Sequence, residues 1–210
     1  MRILAVVLLA ACTIVAAEVI DAFGYHWTVP AASDWKVEQQ GGVPVLRLVI
    51  PKAPPPGPRR PIQFALAETP DFRSVTVDLD ARPLGHSLII VFAYRDPAHF
   101  NYVHLSTDPA SKEHVHNGVF HVYGGARVRI SAEAGRAAFR ATNRWYHVRF
   151  THDGGSGAVH VSVNGRIIPA LHAIDLSLRS GRVGIGSFDE TGDFKNVRIH
   201  GVAAPANAIQ

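Results

Sequence analysis

The sequence predicts an all-β protein, either an antiparallel β-sandwich or a barrel, and three observations support this fold class. Short segments in which apolar and polar residues alternate, rich in β-branched and aromatic side chains, recur through most of the chain. Turn sequences such as Asn164-Gly165 and Ser180-Gly181 separate these segments at short intervals. No segment carries a helical period long enough for a major helix, a combination that is typical of sandwiches and barrels.

The N-terminal residues predict an export signal. Arg2 precedes an apolar run over residues 3–17, which is shorter than the about 20 residues that span a bilayer. The small residues at the end of this run predict cleavage before Glu18, so we expect a periplasmic or extracellular protein. Residues 9–12 also match a bacterial lipoprotein signal, which would place a lipid anchor on Cys12. Simple cleavage is favoured because the residues after Cys12 remain apolar.

The remaining chain is predicted to form one domain, with a lead-in at residues 18–34, the sandwich at 35–201 and a tail at 202–210. The proline-rich run at residues 51–61 is preceded by too few residues for an independent domain, so we expect it to be a stiff surface loop. The predicted strands cover residues 44–50, 72–82, 86–95, 98–106, 118–123, 126–131, 144–152, 157–164, 182–188 and 193–200.

Composition narrows the functional classes. The chain has 21 basic and 17 acidic residues, a formal net charge of +4, which is too small an excess to predict nucleic-acid binding. Its one cysteine excludes a disulfide framework and a cysteine-based metal site. The sequence contains no phosphate-binding glycine loop and no serine-esterase elbow, so nucleotide hydrolysis and serine esterase chemistry of the usual kinds are not expected.

Alternation within the strands predicts which side chains face away from the core. In residues 98–106 the apolar Val103 and Leu105 are expected in the core, so Tyr102 and His104 take the opposite face. The same argument assigns two further sets of residues. It places in the core Phe120, Val122, Val128, Val148 and Phe150, and it directs outward His121, Tyr123, Arg129, His147 and Arg149. Aromatic, imidazole and guanidinium groups on one face favour carbohydrate binding, because sugar rings stack on aromatic rings and hydroxyl groups accept hydrogen bonds. An ordinary solvated face is the alternative.

Several of these strands and their flanking residues resemble a known superfamily. The matching segments are residues 100–106 (FNYVHLS), 116–120 (HNGVF), 145–149 (WYHVR) followed by Asp153-Gly154, 184–188 (GIGSF) and 194–198 (FKNVR). Together they resemble the concanavalin A-like lectin and glucanase superfamily. Within it they are most similar to the 3-keto-disaccharide hydrolase-type domains of exported bacterial proteins and to laminin-G-like jelly rolls. The resemblance covers roughly residues 35–201.

The resemblance implies a jelly roll of two antiparallel sheets that binds a glycan on its concave face. It also implies an activity that hydrolyses or eliminates a glycosidic bond. The Glu-x-Asp-x-x-Glu strand of the related glucanases does not occur in the sequence. A non-catalytic lectin-like module and an envelope structural or interaction protein are therefore the two alternatives.

The candidate catalytic residues follow from the outward positions. His104 or His121 would act as the base of an elimination, and Arg129 or Arg149 would hold the enolate or a hydroxyl group, as the keto-glycoside resemblance implies. Tyr102 and Tyr123 are expected to contact the sugar. The carboxylates of Val77-Asp78-Leu79-Asp80 share a strand face at the separation of an inverting glycosidase pair, but a solvent-facing acidic strip is favoured.

Two loops add candidate ligands. His116 and Asn117 are predicted to lie in a polar loop beside the sugar, and a metal site formed by His114, His116 and His121 is the less favoured alternative. The acidic turn from Asp189 to Asp193 offers oxygen ligands for a structural Ca²⁺, with Asp189 and Asp193 as the candidate ligands and a plain hairpin turn as the favoured alternative.

Overall fold

The computed structural model describes residues 17–108, 115–131 and 135–205, which form an all-β structure. Two short 3-10 turns lie at Ala32–Asp34 and Pro169–Leu171. The strands are β1 (Glu18–Ala22), β2 (Tyr25–Val29), β3 (Trp35–Gln40), β4 (Val43–Leu48), β5 (Gln63–Ala67), β6 (Phe72–Pro83), β7 (Ser87–Asp96), β8 (His99–Ser106), β9 (Gly118–Tyr123), β10 (Val128–Arg129), β11 (Tyr146–Asp153), β12 (Ala158–Val163), β13 (Arg166–Ile167), β14 (Ala173–Ile174), β15 (Arg182–Ser187) and β16 (Gly192–Ala203).

The strands form two antiparallel sheets that pack face to face. Sheet A has the order β1-β2-β5-β15-β7-β8-β9-β10, and sheet B has the order β13-β12-β11-β6-β16-β4-β3 with β14 paired to β12. The two longest strands, β6 and β16, have 12 residues each and are neighbours near the centre of sheet B. The predicted two-sheet antiparallel β-sandwich is confirmed.

Alternate residues of each strand fill the core between the sheets. Val103 on sheet A and Phe150 on sheet B are both fully buried there, as their alternation predicted. Trp27 is also fully buried, and its indole nitrogen donates to the backbone oxygen of Ala22 at 3.0 Å. Burial of each such large side chain contributes on the order of 1.5–3 kcal/mol, so the core accounts for much of the sandwich's stability.

The sandwich begins before Trp35. Residues 18–34 supply β1 and β2, and β2 pairs with β5 through Trp27 and Ala67, so the predicted lead-in is part of sheet A. The turn between β1 and β2 is made by Phe23 and Gly24, both with positive φ, which the two-residue hairpin requires. At the other end β16 extends to Ala203, two residues into the predicted tail.

A second apolar cluster lies on the outer face of sheet A. This aromatic cluster contains Ile89, Val91, Phe100, Tyr102, Phe120, Val122 and Phe188, all almost inaccessible to solvent. Two arginines cover it: the Arg59 guanidinium lies 5.0 Å from the ring centre of Phe188, and that of Arg127 lies 4.6 Å from the same ring. The Arg127 amide donates to the Arg59 carbonyl at 2.8 Å, which ties the proline-rich loop to the segment after β9.

The N-terminal residues 1–16, which carry most of the predicted export signal and Cys12, lie outside the described residues. In the part of the chain that the structure describes, no helix has the length and apolar character needed to cross a membrane. Export and lipidation therefore stay predictions.

Candidate functional site

Tyr102 and His104 lie on the outer face of sheet A, as predicted, but both side chains are covered there. Their exposed fractions are 0% and 2%. An Nη1 atom of Arg127 donates to the Tyr102 hydroxyl at 3.1 Å and lies 3.4 Å from Nδ1 of His104. The same guanidinium lies over the ring of Phe120 at 4.8 Å. The prediction of an accessible binding face at these two residues is wrong, because the arginine and the proline-rich loop cover it.

His104 has the environment of a packed side chain. Its burial, followed by the positive charge of Arg127 and by His116, holds its pKa well below the ordinary value. Its Nε2 atom is buried and has no hydrogen-bond partner among the described residues. A general base must reach the proton that it removes, and the buried His104 side chain is not open to a substrate. His116, the nearest imidazole, is bonded to Asp108 through Nδ1.

The side chains of Asn117 and Arg129 form hydrogen bonds with the backbone of the segments around β9 and β10. Asn117 is fully buried, its amide donates to the Arg136 carbonyl at 3.0 Å, and its oxygen accepts from the Ala138 amide at 3.1 Å. Arg129 donates to the carbonyls of Asn117 and Ser131 at 2.9 and 3.1 Å. Their polar atoms are thus engaged by the backbone, so the predicted role in sugar binding does not fit either residue.

In β9 the residues that face the core and those that face outward are exchanged relative to the prediction. Val119 packs in the core between the sheets, whereas Phe120 and Val122 belong to the aromatic cluster on the outer face. His121 and Tyr123 therefore share the side of Val119 and lie at the edge of the space between the sheets. Both alternate sets in this strand are apolar, so alternation alone cannot assign them to a face.

His121 and Tyr123 nevertheless belong to a polar group, the sheet-A rim, formed with Asn101, Asp175 and Ser177. The rings of His121 and Tyr123 stack with centres 5.5 Å apart, and Tyr123 is 63% exposed. Nδ1 of His121 donates to the side-chain oxygen of Asn101 at 2.7 Å, and the Asn101 amide nitrogen donates to Asp175 at 2.7 Å. Burial opposes the ionisation of Asp175, but hydrogen bonds from Ser177 and Asn101 outweigh it and lower the pKa.

The predicted Ca²⁺ ligands do not form a site. Asp193 is fully buried, and its two carboxylate oxygens accept hydrogen bonds from the guanidinium groups of Arg47 and Arg82. Asp189 is exposed at the turn before β16. Two cations already neutralise Asp193, and no group of three potential metal ligands occurs within the described ranges, so these donors do not fit a calcium ion. His114, the less favoured metal ligand, lies outside those ranges.

The outer face of sheet B is polar and accessible. Asp78, Asp80, His147, Arg149 and Asn196, which we call the open face, lie on the neighbouring strands β6, β11 and β16. Arg149 points outward, as predicted, and contacts both oxygens of Asp78 at 3.2 Å. His147 lies between the two carboxylates, 3.3 Å from Asp80 and 3.9 Å from Asp78. The amide of Asn196 donates to Asp80 at 2.7 Å.

The pairs of the open face are easily exchanged for contacts with a ligand. The side chains of His147 and Arg149 are 55% and 56% exposed, so their ion pairs with the carboxylates are screened by solvent. Exposed pairs of this kind contribute about 0–1 kcal/mol each. Ligand hydroxyl groups can therefore replace them at little cost.

The polar surface continues along the same strands beyond the open face. One register row crosses four strands, with His160, Thr151, Thr76 and His200 side by side. This row lines a shallow groove of about 680 Å³. The polar surface is thus long enough for several sugar rings, since successive outward residues of a strand lie about 7 Å apart.

The sequence indicated the outward direction of Asp78, Asp80, His147 and Arg149 but not their association. Alternation describes one strand at a time, whereas the pairing of β6 with β11 joins distant residues. Asp78 and Arg149, for example, are separated by 71 positions in the sequence. Asn196 was missed because its positive φ places it in an irregularity of β16, where alternation fails.

Structural comparison agrees with this architecture. The carbohydrate-binding module CBM66 from Bacillus subtilis superposes with a TM-score of 0.57 and 15% sequence identity, covering 83% of this chain and 94% of that one. A putative glycosyl hydrolase from Parabacteroides distasonis superposes with a TM-score of 0.55 and 15% identity, covering 82% and 92% of the two chains. No protein-family model matches the sequence, and no curated protein sequence matches it.

The structural neighbours agree with the fold. The chain is a jelly-roll β-sandwich, the fold that the resemblance implied. This architecture occurs in carbohydrate-binding modules and in proteins described as glycosyl hydrolases. At 15% identity the likeness establishes the fold alone, so the function depends on the residues of this chain.

Proposed function

We propose that the protein binds a glycan on the open face of sheet B as a carbohydrate-binding module. The observation that carries this proposal is the contrast between the two outer faces of the sandwich. On the outer face of sheet A, Arg59 and Arg127 cover the region around Phe188, and the cavity of about 340 Å³ beside it is lined mostly by apolar groups such as those of Phe64 and Phe100. The open face of sheet B presents carboxylate, imidazole, guanidinium and amide groups to solvent on three neighbouring strands.

The chemistry of the open face suits sugar hydroxyl groups. A hydroxyl group both donates and accepts a hydrogen bond, so its recognition needs acceptors and donors side by side. Asp78 and Asp80 supply acceptors, while Arg149, His147 and Asn196 supply donors. The strand scaffold holds these groups in fixed positions, which reduces the conformational entropy lost on binding.

A second candidate function is cleavage of the bound glycan by hydrolysis or elimination. The observation that favours it is the position of His147, an exposed imidazole held between two carboxylates with Arg149 beside it. Imidazole transfers protons near neutral pH, and a guanidinium group stabilises developing negative charge. This arrangement replaces the predicted bases His104 and His121.

The proposal is tested first with a glycan array and then by calorimetry with an oligosaccharide that binds. The variant His147→Gln/Arg149→Gln removes the imidazole and the guanidinium group from the open face, and we expect its affinity to fall about tenfold or more. The control is His26→Gln, since His26 is also an exposed histidine bonded to an aspartate, Asp21, but on β2. Equal affinity of the double variant and the control variant would disprove binding at the open face.

The two candidate functions differ in turnover. The bound oligosaccharide and a panel of plain and 3-keto disaccharides are incubated with the protein, and the products are followed by mass spectrometry. A binding module leaves every sugar intact. Product formation that is lost in His147→Gln and kept in His26→Gln would favour cleavage.

We also propose that the protein acts outside the cytoplasm, because an apolar run ending in small residues precedes Glu18. The intact mass of the protein purified from the producing cells distinguishes the two forms of the signal. A mature chain that begins at Glu18 supports simple cleavage, whereas a diacylated chain that begins at Cys12 supports a lipid anchor. The full-length mass in the cytoplasmic fraction would contradict export.

A further inference from the structure

Four arginines gather beside the N-terminal end of β11. Arg140, Arg144 and Arg166 line one cleft of about 470 Å³, together with Trp145 and Asn164. Arg136 lines an adjoining cleft of about 310 Å³ that shares Arg140 and Arg166 with the first. We call the combined surface the arginine cleft. All four arginines are exposed, so their guanidinium groups can reach a ligand.

No carboxylate within the described ranges neutralises the charge of the arginine cleft. In the described part of the chain, none of its four arginines forms an ion pair with a carboxylate. Other arginines of sheet B are paired, Arg82 with Asp193 and Arg149 with Asp78. Four like charges in one depression repel each other and create a positive potential that concentrates anions.

The backbone of the arginine cleft is held in place. The Tyr146 hydroxyl accepts hydrogen bonds from the amides of Arg140 and Ala141 at 3.1 and 2.9 Å and donates to the Ala141 carbonyl at 3.0 Å. On the opposite side, Asn164 and Gly165 form a tight turn with positive φ at both residues, which sets the position of Arg166. The guanidinium groups are therefore presented from fixed points on both sides.

The arginine cleft adjoins the open face through two residues. Asn164 accepts a hydrogen bond from the backbone amide of His147 at 2.8 Å. Trp145 lies two positions before His147, and its ring contacts the cations of Arg82 and Lys195 at 4.6 and 4.3 Å. A glycan that lies on the open face can thus extend into the cleft without leaving the surface.

We propose that the arginine cleft binds the carboxylate or sulfate groups of an acidic oligosaccharide whose neighbouring sugars lie on the open face. The inference rests on the proposed function and names its substrate class. A guanidinium group donates two parallel hydrogen bonds to such an oxyanion, a geometry that lysine does not reproduce. A neutral glycan offers the cleft only hydroxyl groups and gains no attraction between charges there.

The test measures binding of three defined probes by calorimetry: a galacturonate hexasaccharide, a heparin hexasaccharide and neutral laminarihexaose. The variant Arg144→Gln/Arg166→Gln removes two charges from the cleft. The control Arg73→Gln/Arg179→Gln removes two charges from a different cleft, beside Gly154 just after β11, roughly 20 Å away along the strand. Thermal melts establish that each variant folds as the parent does.

We expect an acidic probe to bind at least tenfold more tightly than laminarihexaose and to lose about tenfold in affinity in Arg144→Gln/Arg166→Gln. The control should change affinity less than threefold, and added salt should weaken binding of the acidic probe. The galacturonate and heparin arms distinguish a carboxylate from a sulfate ligand. Equal losses in the two double variants would overturn the inference, because attraction to net charge would then explain the binding.

The failure of the inference is separable from the failure of the proposed function. If laminarihexaose binds as well as the acidic probes and depends only on His147 and Arg149, the open face binds neutral glycans and the inference is wrong. If an acidic probe depends on Arg144 and Arg166 but not on His147 and Arg149, the cleft binds anions and the open-face proposal is wrong. Tighter binding of a 12-nucleotide single-stranded DNA than of either acidic probe would also overturn the inference.

Discussion

Replacing Arg127 with alanine tests whether the outer face of sheet A is a packed surface or a binding surface. The Arg127 guanidinium donates to the buried Tyr102 hydroxyl at 3.1 Å and lies over the rings of Phe120 and Phe188 at 4.8 and 4.6 Å. The variant leaves the Tyr102 hydroxyl without this donor and opens the aromatic cluster to water.

The magnitude follows from these contacts. A hydrogen bond from a charged donor contributes about 1.5–3 kcal/mol, and the two cation–ring contacts contribute about 0.5–1 kcal/mol each. Relief of the repulsion between Arg127 and any protonated His104 offsets a small part. We therefore expect Arg127→Ala to lower the free energy of unfolding by about 2–4 kcal/mol, which shifts the urea midpoint by roughly 1–2 M.

The assay is urea denaturation followed by tryptophan fluorescence, with calorimetric glycan binding under native conditions. Arg182→Ala is the matched control, because it removes the same charge and one contact between a guanidinium group and a ring. The guanidinium group of Arg182 lies 5.4 Å from the ring centre of Tyr94. We expect the control to cost less than about 1 kcal/mol and both variants to keep their glycan affinity. An unchanged midpoint together with lost glycan affinity in Arg127→Ala would refute the reasoning and restore sheet A as the binding face.

Further outcomes follow from the buried titratable groups and from the N-terminus. Burial lowers the pKa of His104 and His152, so the unfolded chain takes up protons first as the pH falls below about 6.5. The free energy of unfolding should then drop, for each of the two histidines, by up to about 1.4 kcal/mol per pH unit. In urea denaturation compared between about pH 7.5 and about pH 5.5, His104→Gln should reduce this dependence on pH. Asp193→Asn leaves two arginines without their shared carboxylate and should lower the free energy of unfolding by about 3–5 kcal/mol, as measured by urea denaturation. Because these arginines already neutralise Asp193, EDTA or Ca²⁺ at about 5 mM should leave the melting temperature of the parent protein unchanged. Mass spectrometry of exported protein should give a chain that begins at Glu18.

The fold was largely predictable because its information is local. Alternation in β8 and β11 correctly directed Val103, Leu105, Val148 and Phe150 into the core. The hairpin of β1 and β2 was missed because its strands have five residues each, too few for a clear period. Trp27, which fills the core from this hairpin, carried no signal of its partners in the sequence.

The candidate site was only partly predictable, because it depends on which strands are neighbours and on what covers each sheet. Arg149 was identified as an outward donor, yet its partner Asp78 became apparent only from the pairing of β11 with β6. The outward direction of Tyr102 and His104 was correct, but alternation could not indicate that Arg127 and the proline-rich loop cover them. Both faces of β9 carry apolar residues, and alternation therefore assigned His121 to the wrong face of the sheet.

The central claim is that the protein binds a glycan on the open face of sheet B. Its most direct test is an NMR titration of the ¹⁵N-labelled protein with an oligosaccharide that binds on the array, with amide shifts mapped onto the strands. We expect the largest shifts on β6, β11 and β16 around Asp78, His147 and Asn196. Shifts confined to the sheet-A rim around Tyr123, or to the segment of Arg127, would contradict the claim.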